Sequence, residues 1–336
     1  MVKQVVTLFG GSGFIGRHLV HKLAKRGFEV RIAVRNTEFA HVLKPAGDVG
    51  QIVPWQTDIC DPAQVATAIE GAYAAVNLVG ILYERGERSF QRMHVEAAEN
   101  IAIAALNGGV QRLVHVSAIG ADIESSSAYG YTKAAGEIAV KAAFPSATIM
   151  RPSVIFGPED NFFNMFAGIM RLSPVLPVMG SRPWPKISIG GLTLIDFDFF
   201  GKGGCSFQPV FVGDVAEAIM YALTEVTNEG EIYELGGPRV YSFKEIMELL
   251  LQTTGRERVL IPMPLWLAHA QAMILQLFPK PLLTIDQVRM METDNVVSGD
   301  CPGLAELKIK AKTAEAILPT YLQRFRTPRS KGFDIQ

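Results

Sequence analysis

What most restricts this chain is the alternation, over its first 150 residues, of short apolar runs with stretches long enough for a helix. The runs fall at 5–9, 30–34, 52–55, 74–79, 113–117 and 148–150, and most are rich in Val, Ile and Leu. Continuous apolar runs describe strands buried on both faces, and helix-sized intervals describe crossovers, so the pattern predicts an α/β fold with a doubly wound parallel sheet. After Arg151 the alternation ends. Pro152, Pro158, Pro174, Pro177, Pro183 and Pro185 crowd together, a hairpin-like apolar segment follows at 187–200, and helical patterns return at 214–224, 242–253, 265–278 and 313–324. The reading is therefore a nucleotide-binding domain over 1–155 and a smaller, mostly helical lobe over 156–336, with about 207–225 threading back onto the first domain.

Composition excludes several classes. Of 336 residues, 49% are hydrophobic, enough for a large core. Lys plus Arg number 32 against 33 Asp plus Glu. That balance gives no global attraction to nucleic acid, so any phosphate site must be local. Cys60, Cys205 and Cys301 are widely separated, with no CxxC and no His at ligand spacing, which predicts reduced thiols, a reducing compartment and no metal site. No signal peptide or presequence is recognisable before the first strand, so the expected location is cytoplasmic. The most apolar stretch, 260–278, is interrupted by Pro262, Pro264, His269, Gln271 and Gln276 and falls short of a membrane span. It reads first as an amphipathic core helix and second as a surface for a membrane or a partner.

The first apolar run leads into VVTLFGGSGFIGRHLV, which sets Gly10, Gly13 and Gly16 between a strand and a helix. Gly10 permits the tight turn, Gly13 the approach of a pyrophosphate, and Gly16 the packing of the helix on the sheet; the helix N-terminus supplies free N–H groups. The second strand ends in Val34-Arg35-Asn36, where a carboxylate would hold the 2′-hydroxyl of NAD(H). Arg35 instead offers a planar fork suited to a 2′-phosphate, with Arg17 as a second cation, so NADP(H) is favoured and NAD(H) stays open. Asp58, after the third strand, is a candidate acceptor for the adenine amino group. Asn77, Val79 and Gly80, in NLVG, are candidates for the floor beneath the adenosine.

Tyr129 and Lys133, in YGYTK, are four residues apart and share one helical face, and Ser117 ends the fifth strand. Alone the pair is weak evidence. With GGSGFIG, NLVG, VSAIGA and RPSVIFGP it makes the first 160 residues resemble the short-chain dehydrogenase/reductase superfamily in its extended and atypical branches, with a Rossmann domain. The resemblance implies Ser117 as carbonyl polariser, Tyr129 as general acid/base, and Lys133 as ribose ligand and depressor of the tyrosine pKa. It also implies cofactor contacts at Phe14, Ile15, Pro152 and Ser153.

A further likeness runs through AAFPSATIMRPSVIFGPEDNFFNMFA and FQPVFVGDV to the Pro-rich region near 262–278. These segments resemble the NADPH-binding accessory subunit family of respiratory complex I and its alphaproteobacterial relatives. That resemblance implies tightly held NADPH, a role in assembly or stability near the quinone-side arm, and a peripheral place on the cytoplasmic face of the inner membrane, or the matrix side in a mitochondrion. The chain keeps Ser117, Tyr129 and Lys133 together, which mitochondrial members need not do, so an active reductase, epimerase or dehydratase stays open as the alternative. A sugar-nucleotide substrate would need cations for a second pyrophosphate, and the second lobe offers only scattered candidates such as Arg182, Arg239 and Arg256. The segment 184–204 is longer and more apolar than a simple connection, and reads as a hairpin, a lid or a contact surface.

Overall fold

A computed structural model describes residues 4–182, 186–190, 194–225 and 230–327. The chain opens with β1 (Val5–Phe9), α1 (Phe14–Lys25), β2 (Glu29–Val34), a single turn α2 (Glu38–His41), β3 (Ile52–Gln56), α3 (Pro62–Ile69) and β4 (Ala74–Asn77). There follow α4 (Ala97–Asn107), preceded by a π-helical turn at Gln91–Glu96, then β5 (Arg112–Val116), α5 (Ala128–Ala143) and β6 (Thr148–Pro152). All six expected strands are present; the fourth stops at Asn77, because the Asn77 side chain accepts the Val79 N–H at 3.0 Å and turns the chain out of the sheet.

The second half contains β7 (Ile155–Phe156), α6 (Phe162–Leu172), β8 (Val175–Met179), β9 (Lys186–Gly190), β10 (Leu194–Asp198), β11 (Ser206–Phe207), β12 (Val210–Phe211) and α7 (Val212–Thr224). It closes with β13 (Ile232–Leu235), β14 (Tyr241–Ser242), α8 (Phe243–Thr254), β15 (Val259–Met263), α9 (Leu265–Leu275), α10 (Ile285–Met290) and α11 (Ala314–Leu322). The main sheet has the order β13-β6-β5-β4-β1-β2-β3, and every neighbouring pair in it is parallel. The strand order, not the strand direction, reverses between β1 and β4, and this puts a crevice outside their carboxyl ends, where open sheets take their ligands.

Helices cover both faces. Leu19, Val20 and Leu23 of α1 and Val215, Ala218 and Ile219 of α7 bury one face with Val6, Leu8 and Ile32. Val65, Ile69, Ile101 and Val140 cover the other with Phe9, Ala75 and Ile149. The second lobe has its own aromatic centre: Phe162 meets Phe163 and Phe166 with ring centroids 5.3 Å apart, and Phe166 meets Phe243 edge-on at 5.6 Å. Such edge-to-face pairs add to the burial of the rings themselves.

The apolar stretch at 260–278 departs from the core-helix expectation. Its first part is strand β15, parallel to β8, because Pro262 and Pro264 cannot lie inside a helix. In α9 only Ala268 and Ala272 are buried, while Trp266, Leu267, Met273 and Ile274 are exposed, as are Leu277, Phe278 and Leu282 beyond it. The hairpin expected at 187–200 is the antiparallel pair β9–β10, with Lys186 opposite Asp198; Trp184 lies outside the described residues. No described helix is long and apolar enough to cross a membrane.

Candidate functional site

The glycine turn is built by steric exclusion. Gly10 has φ +78°, and a Cβ on Gly16 would lie 2.3 Å from the Gly11 carbonyl oxygen, so α1 packs this close to the turn only without a side chain there. Gly13 is the N-cap of α1, and its carbonyl accepts the Arg17 N–H at 3.0 Å. No side chain caps this helix, so its first N–H groups face the crevice.

A cleft of about 560 Å³ begins at this turn. It is lined by Gly10 and Gly13, by Arg35 and Asn36 after β2, by Thr57 and Asp58 after β3, and by Val79 and Gly80 after β4. The lining also includes Glu87, Arg88 and Arg92, which the sequence did not single out. The Thr57 hydroxyl is fully buried without a hydrogen-bond partner, and Asp58 uses one oxygen to accept the Cys60 N–H at 3.0 Å. The shape and donors suit a dinucleotide: free N–H groups at one end, a guanidinium at the other, glycine-lined floor between.

Other expected contacts lie outside the cleft wall. Arg17 turns back, its Nε donating to the Ser12 carbonyl at 3.0 Å, because that acceptor is within reach of its own helix turn. The ring of Phe14 packs edge-on to His18 and against Gly157, while Ile15 packs on the core beneath the sheet. Asn77 is buried against His115, 3.1 Å from its Nδ1. Pro152 ends β6, and the Ser153 hydroxyl donates to the Asn295 carbonyl and side-chain oxygens at 2.9 and 2.7 Å.

Lys133 is brought to the cleft floor: a Cβ on Gly80 would lie 3.9 Å from its Nζ. Nζ donates to the Val116 carbonyl at 2.8 Å, and burial lowers its pKa to about 8, opposed by nearby Glu137. Ser117 begins where β5 ends, and its buried hydroxyl has no partner. Tyr129 lies in the first turn of α5, which Ser127 caps by accepting the Gly130 N–H at 2.9 Å. Its ring stands edge-on to His94 at 5.4 Å and to Phe90 at 6.1 Å, and burial alone pushes the phenol up to about 12.

Sequence reasoning passed over His94 and Asp286. His94 sits in the π-helical turn, a local irregularity often found at sites, and its backbone carbonyl would lie 2.1 Å from a Cβ on Gly136. Asp286 of α10 accepts the Ala128 and Tyr129 N–H groups at 2.6 and 3.0 Å, so the second lobe caps the helix that carries Tyr129. Farther along, Arg182, Arg239 and Arg256 are each engaged within the lobe, with Asp198, with Glu245 and Glu315, and with the Phe325 carbonyl respectively.

Comparison with known proteins gives a consistent picture. Residues 6–236 match the NAD dependent epimerase/dehydratase family. Subunit 9 of the mitochondrial NADH dehydrogenase (ubiquinone) 1 alpha subcomplex from Arabidopsis thaliana is 33% identical, over 96% of this chain and 78% of that protein. Its Mus musculus counterpart is 31% identical, over 99% and 83%. Among solved structures, an NADPH-dependent quinone oxidoreductase from Escherichia coli, complexed with NADPH, aligns over 94% of this chain and 99% of its own with a TM-score of 0.70; at 18% identity it shows the fold. The glycine cradle, the crevice at the reversal of the sheet and the full-length likeness converge: the chain belongs to the NAD dependent epimerase/dehydratase family, alongside subunit 9 of the complex I alpha subcomplex.

Proposed function

We propose that this protein is an NADP(H)-binding accessory or assembly factor of a respiratory complex I-type, quinone-linked assembly, in which the nucleotide is largely structural. The observation that carries the docking half of this reading is the apolar surface of α9 and its continuation. Trp266, Ile274, Leu277, Phe278 and Leu282 are exposed, and 265–279 contains no Asp, Glu, Lys or Arg, its one titratable residue being His269, which lies 3.4 Å from Glu292. A continuous apolar surface of this kind marks an interaction site. The complex I membership of the relatives supplies the partner class, and the location is peripheral, on the cytoplasmic face of the inner membrane or the matrix side in a mitochondrion.

For the nucleotide, Gly10, Gly13 and Gly16 with the α1 N-terminus would take the pyrophosphate, Asp58, Val79 and Gly80 the adenosine, and Lys133 the nicotinamide ribose. Arg35, which has no ion pair among the described residues, favours the 2′-phosphate of NADP(H). The bound nicotinamide would supply hydride chemistry if the site turns over. We divide the chain at 155/156, with 207–225 returning to the first domain and β13 joining its sheet beside β6.

A second reading, a reductase, epimerase or dehydratase, is supported by the unpartnered Ser117 hydroxyl and by Lys133 at the cleft floor. Against it stand the raised pKa of the Tyr129 phenol and the use of the Lys133 ammonium on Val116. Complementation of a deletion strain separates the two. Tyr129→Phe should rescue fully if the role is docking, and Leu277→Asp with Phe278→Asp should fail to co-purify with the assembly. Loss of function by Tyr129→Phe at normal protein level would overturn the structural reading in favour of catalysis.

A further inference from the structure

The part of the cleft lining that carries Arg88 is a built feature. Residues 85–88 form a tight hairpin: the Arg85 N–H donates to the Arg88 carbonyl at 3.0 Å, the Arg88 N–H returns to the Arg85 carbonyl at 3.1 Å, and Gly86 supplies the left-handed φ of +57°. Both flanks are tied down. The Ile81 N–H donates to His94 Nε2 at 3.1 Å before the hairpin, and the Phe90 N–H donates to Glu84 Oε1 at 2.6 Å after it. A backbone held in this way fixes where the Arg88 side chain begins, so that only its rotamers are left to be ordered when it binds an anion.

Charge within the cleft is distributed unevenly. Arg92 lies against Cys60, which places the hairpin at the end of the cleft formed by Thr57, Asp58 and Cys60 and not at the glycine turn. Arg92 is paired with Glu87 at 3.3 Å, so each cancels the other. Arg35 and Arg88 remain as the two lining cations with no carboxylate within ion-pair distance among the described residues. The buried, unpartnered hydroxyl of Thr57 lies in the same wall. One guanidinium at the end of β2 would suffice to discriminate a 2′-phosphate; a second, delivered from a different loop, makes a two-sided site for a dianion.

We propose that Arg88 is a specificity-determining residue: the 85–88 hairpin supplies the second cation, beside Arg35, to the 2′-phosphate of a phosphorylated adenosine nucleotide. This rests on the NADP(H) reading. It adds that selectivity is shared between two loops, so that the hairpin belongs to the nucleotide site.

The test is calorimetric titration of the full chain with NADPH, NADH, 2′,5′-ADP and 5′-AMP, on the wild type and on Arg35→Ala, Arg88→Ala and Arg88→Lys. Arg88 is exposed, so its removal leaves the fold intact, and an unchanged melting temperature of the nucleotide-free protein verifies this. Arg88→Ala should weaken NADPH and 2′,5′-ADP about tenfold while NADH and 5′-AMP change less than about twofold, with partial recovery in Arg88→Lys. If Arg35→Ala abolishes the NADPH preference and Arg88→Ala leaves it intact, the role of Arg88 is overturned and the NADP(H) reading survives. If the wild type does not prefer NADPH over NADH, both fall together.

Discussion

The Nε2 of His94 accepts the backbone N–H of Ile81 at 3.1 Å, so a residue of the π-helical turn holds up the end of the cleft floor. Its Nδ1 lies 3.0 Å from Thr132 Oγ1, whose own proton goes to the Ala128 carbonyl at 2.7 Å; Nδ1 must therefore carry the proton, and the ring is neutral. Burial, with Lys133 nearby, lowers the His94 pKa to about 3. Because the folded pKa lies below the unfolded value of about 6.5, the unfolded chain takes up more protons between pH 6.5 and 3. Stability should fall as pH drops through that window. Buried His115, lowered well below its usual value by burial and Lys133, acts in the same direction. Melting temperatures of the wild type and His94→Gln from pH 7 to 4 check this: the variant keeps one donor and one acceptor but should lose part of the acid sensitivity.

Lys133 acts at the alkaline end. Its folded pKa of about 8 lies below the unfolded value of about 10.4, so the unfolded state binds more protons between those limits and stability should rise with pH across them. The full effect is on the order of 3 kcal/mol. Lys133→Met should lack that rise relative to the wild type while binding nucleotide more weakly. Parallel slopes for the two proteins in urea denaturation from pH 7.5 to 10.5 would show that the ammonium is not destabilised by burial.

Three glycine substitutions should separate close packing from backbone freedom. Gly16→Ala and Gly136→Ala each drive a Cβ to within 2.3 and 2.1 Å of a backbone oxygen and should cost roughly 1–3 kcal/mol or more. Gly168, inside α6, has open space around its Cβ position, and Gly168→Ala should stabilise by about 0.5–1 kcal/mol. Chemical denaturation gives all three values, and an equal loss at Gly168 would refute the distinction.

The guanidinium of Arg151 grips the Glu137 carboxylate through two bonds of 2.9 and 2.6 Å, with Glu234 3.9 Å away, and joins α5 to β6 and β13. Removing only Arg151, as in Arg151→Met, leaves two buried carboxylates facing each other and should cost about 3–5 kcal/mol. Arg151→Met combined with Glu137→Leu should recover part of that loss. Equilibrium unfolding of the single and double variants measures the difference.

The strands and the glycine turn were legible in the sequence because β-branched runs, their spacing and Gly10 with Gly16 are local signals. Ile232–Leu235 was not read as a strand of the main sheet, since parallel pairing with β6 across about 80 residues leaves no local trace. Nor did composition reveal that α9 is exposed: its apolar residues surround the helix, and only its neighbours decide which side is covered. His94, Asp286 and Arg88 escaped notice for a related reason. Each acquires its role from a loop or helix that the fold brings alongside, and Asp286 stands 157 residues from the Tyr129 amide it caps.

That cap has a thermodynamic consequence for assembly. Asp286 lies between the apolar α9 and the helix of Tyr129 and Lys133, and the crevice between Phe278 and Tyr83 brings the end of α9 to the arginine hairpin as well. Two events that share rigid supports are linked reciprocally: whatever attachment to a larger body does for nucleotide retention, the nucleotide does in equal measure for attachment. In the docking role proposed above, a nucleotide-free chain would differ from the loaded one in its hold on the partner by the same factor that attachment changes the hold on the nucleotide.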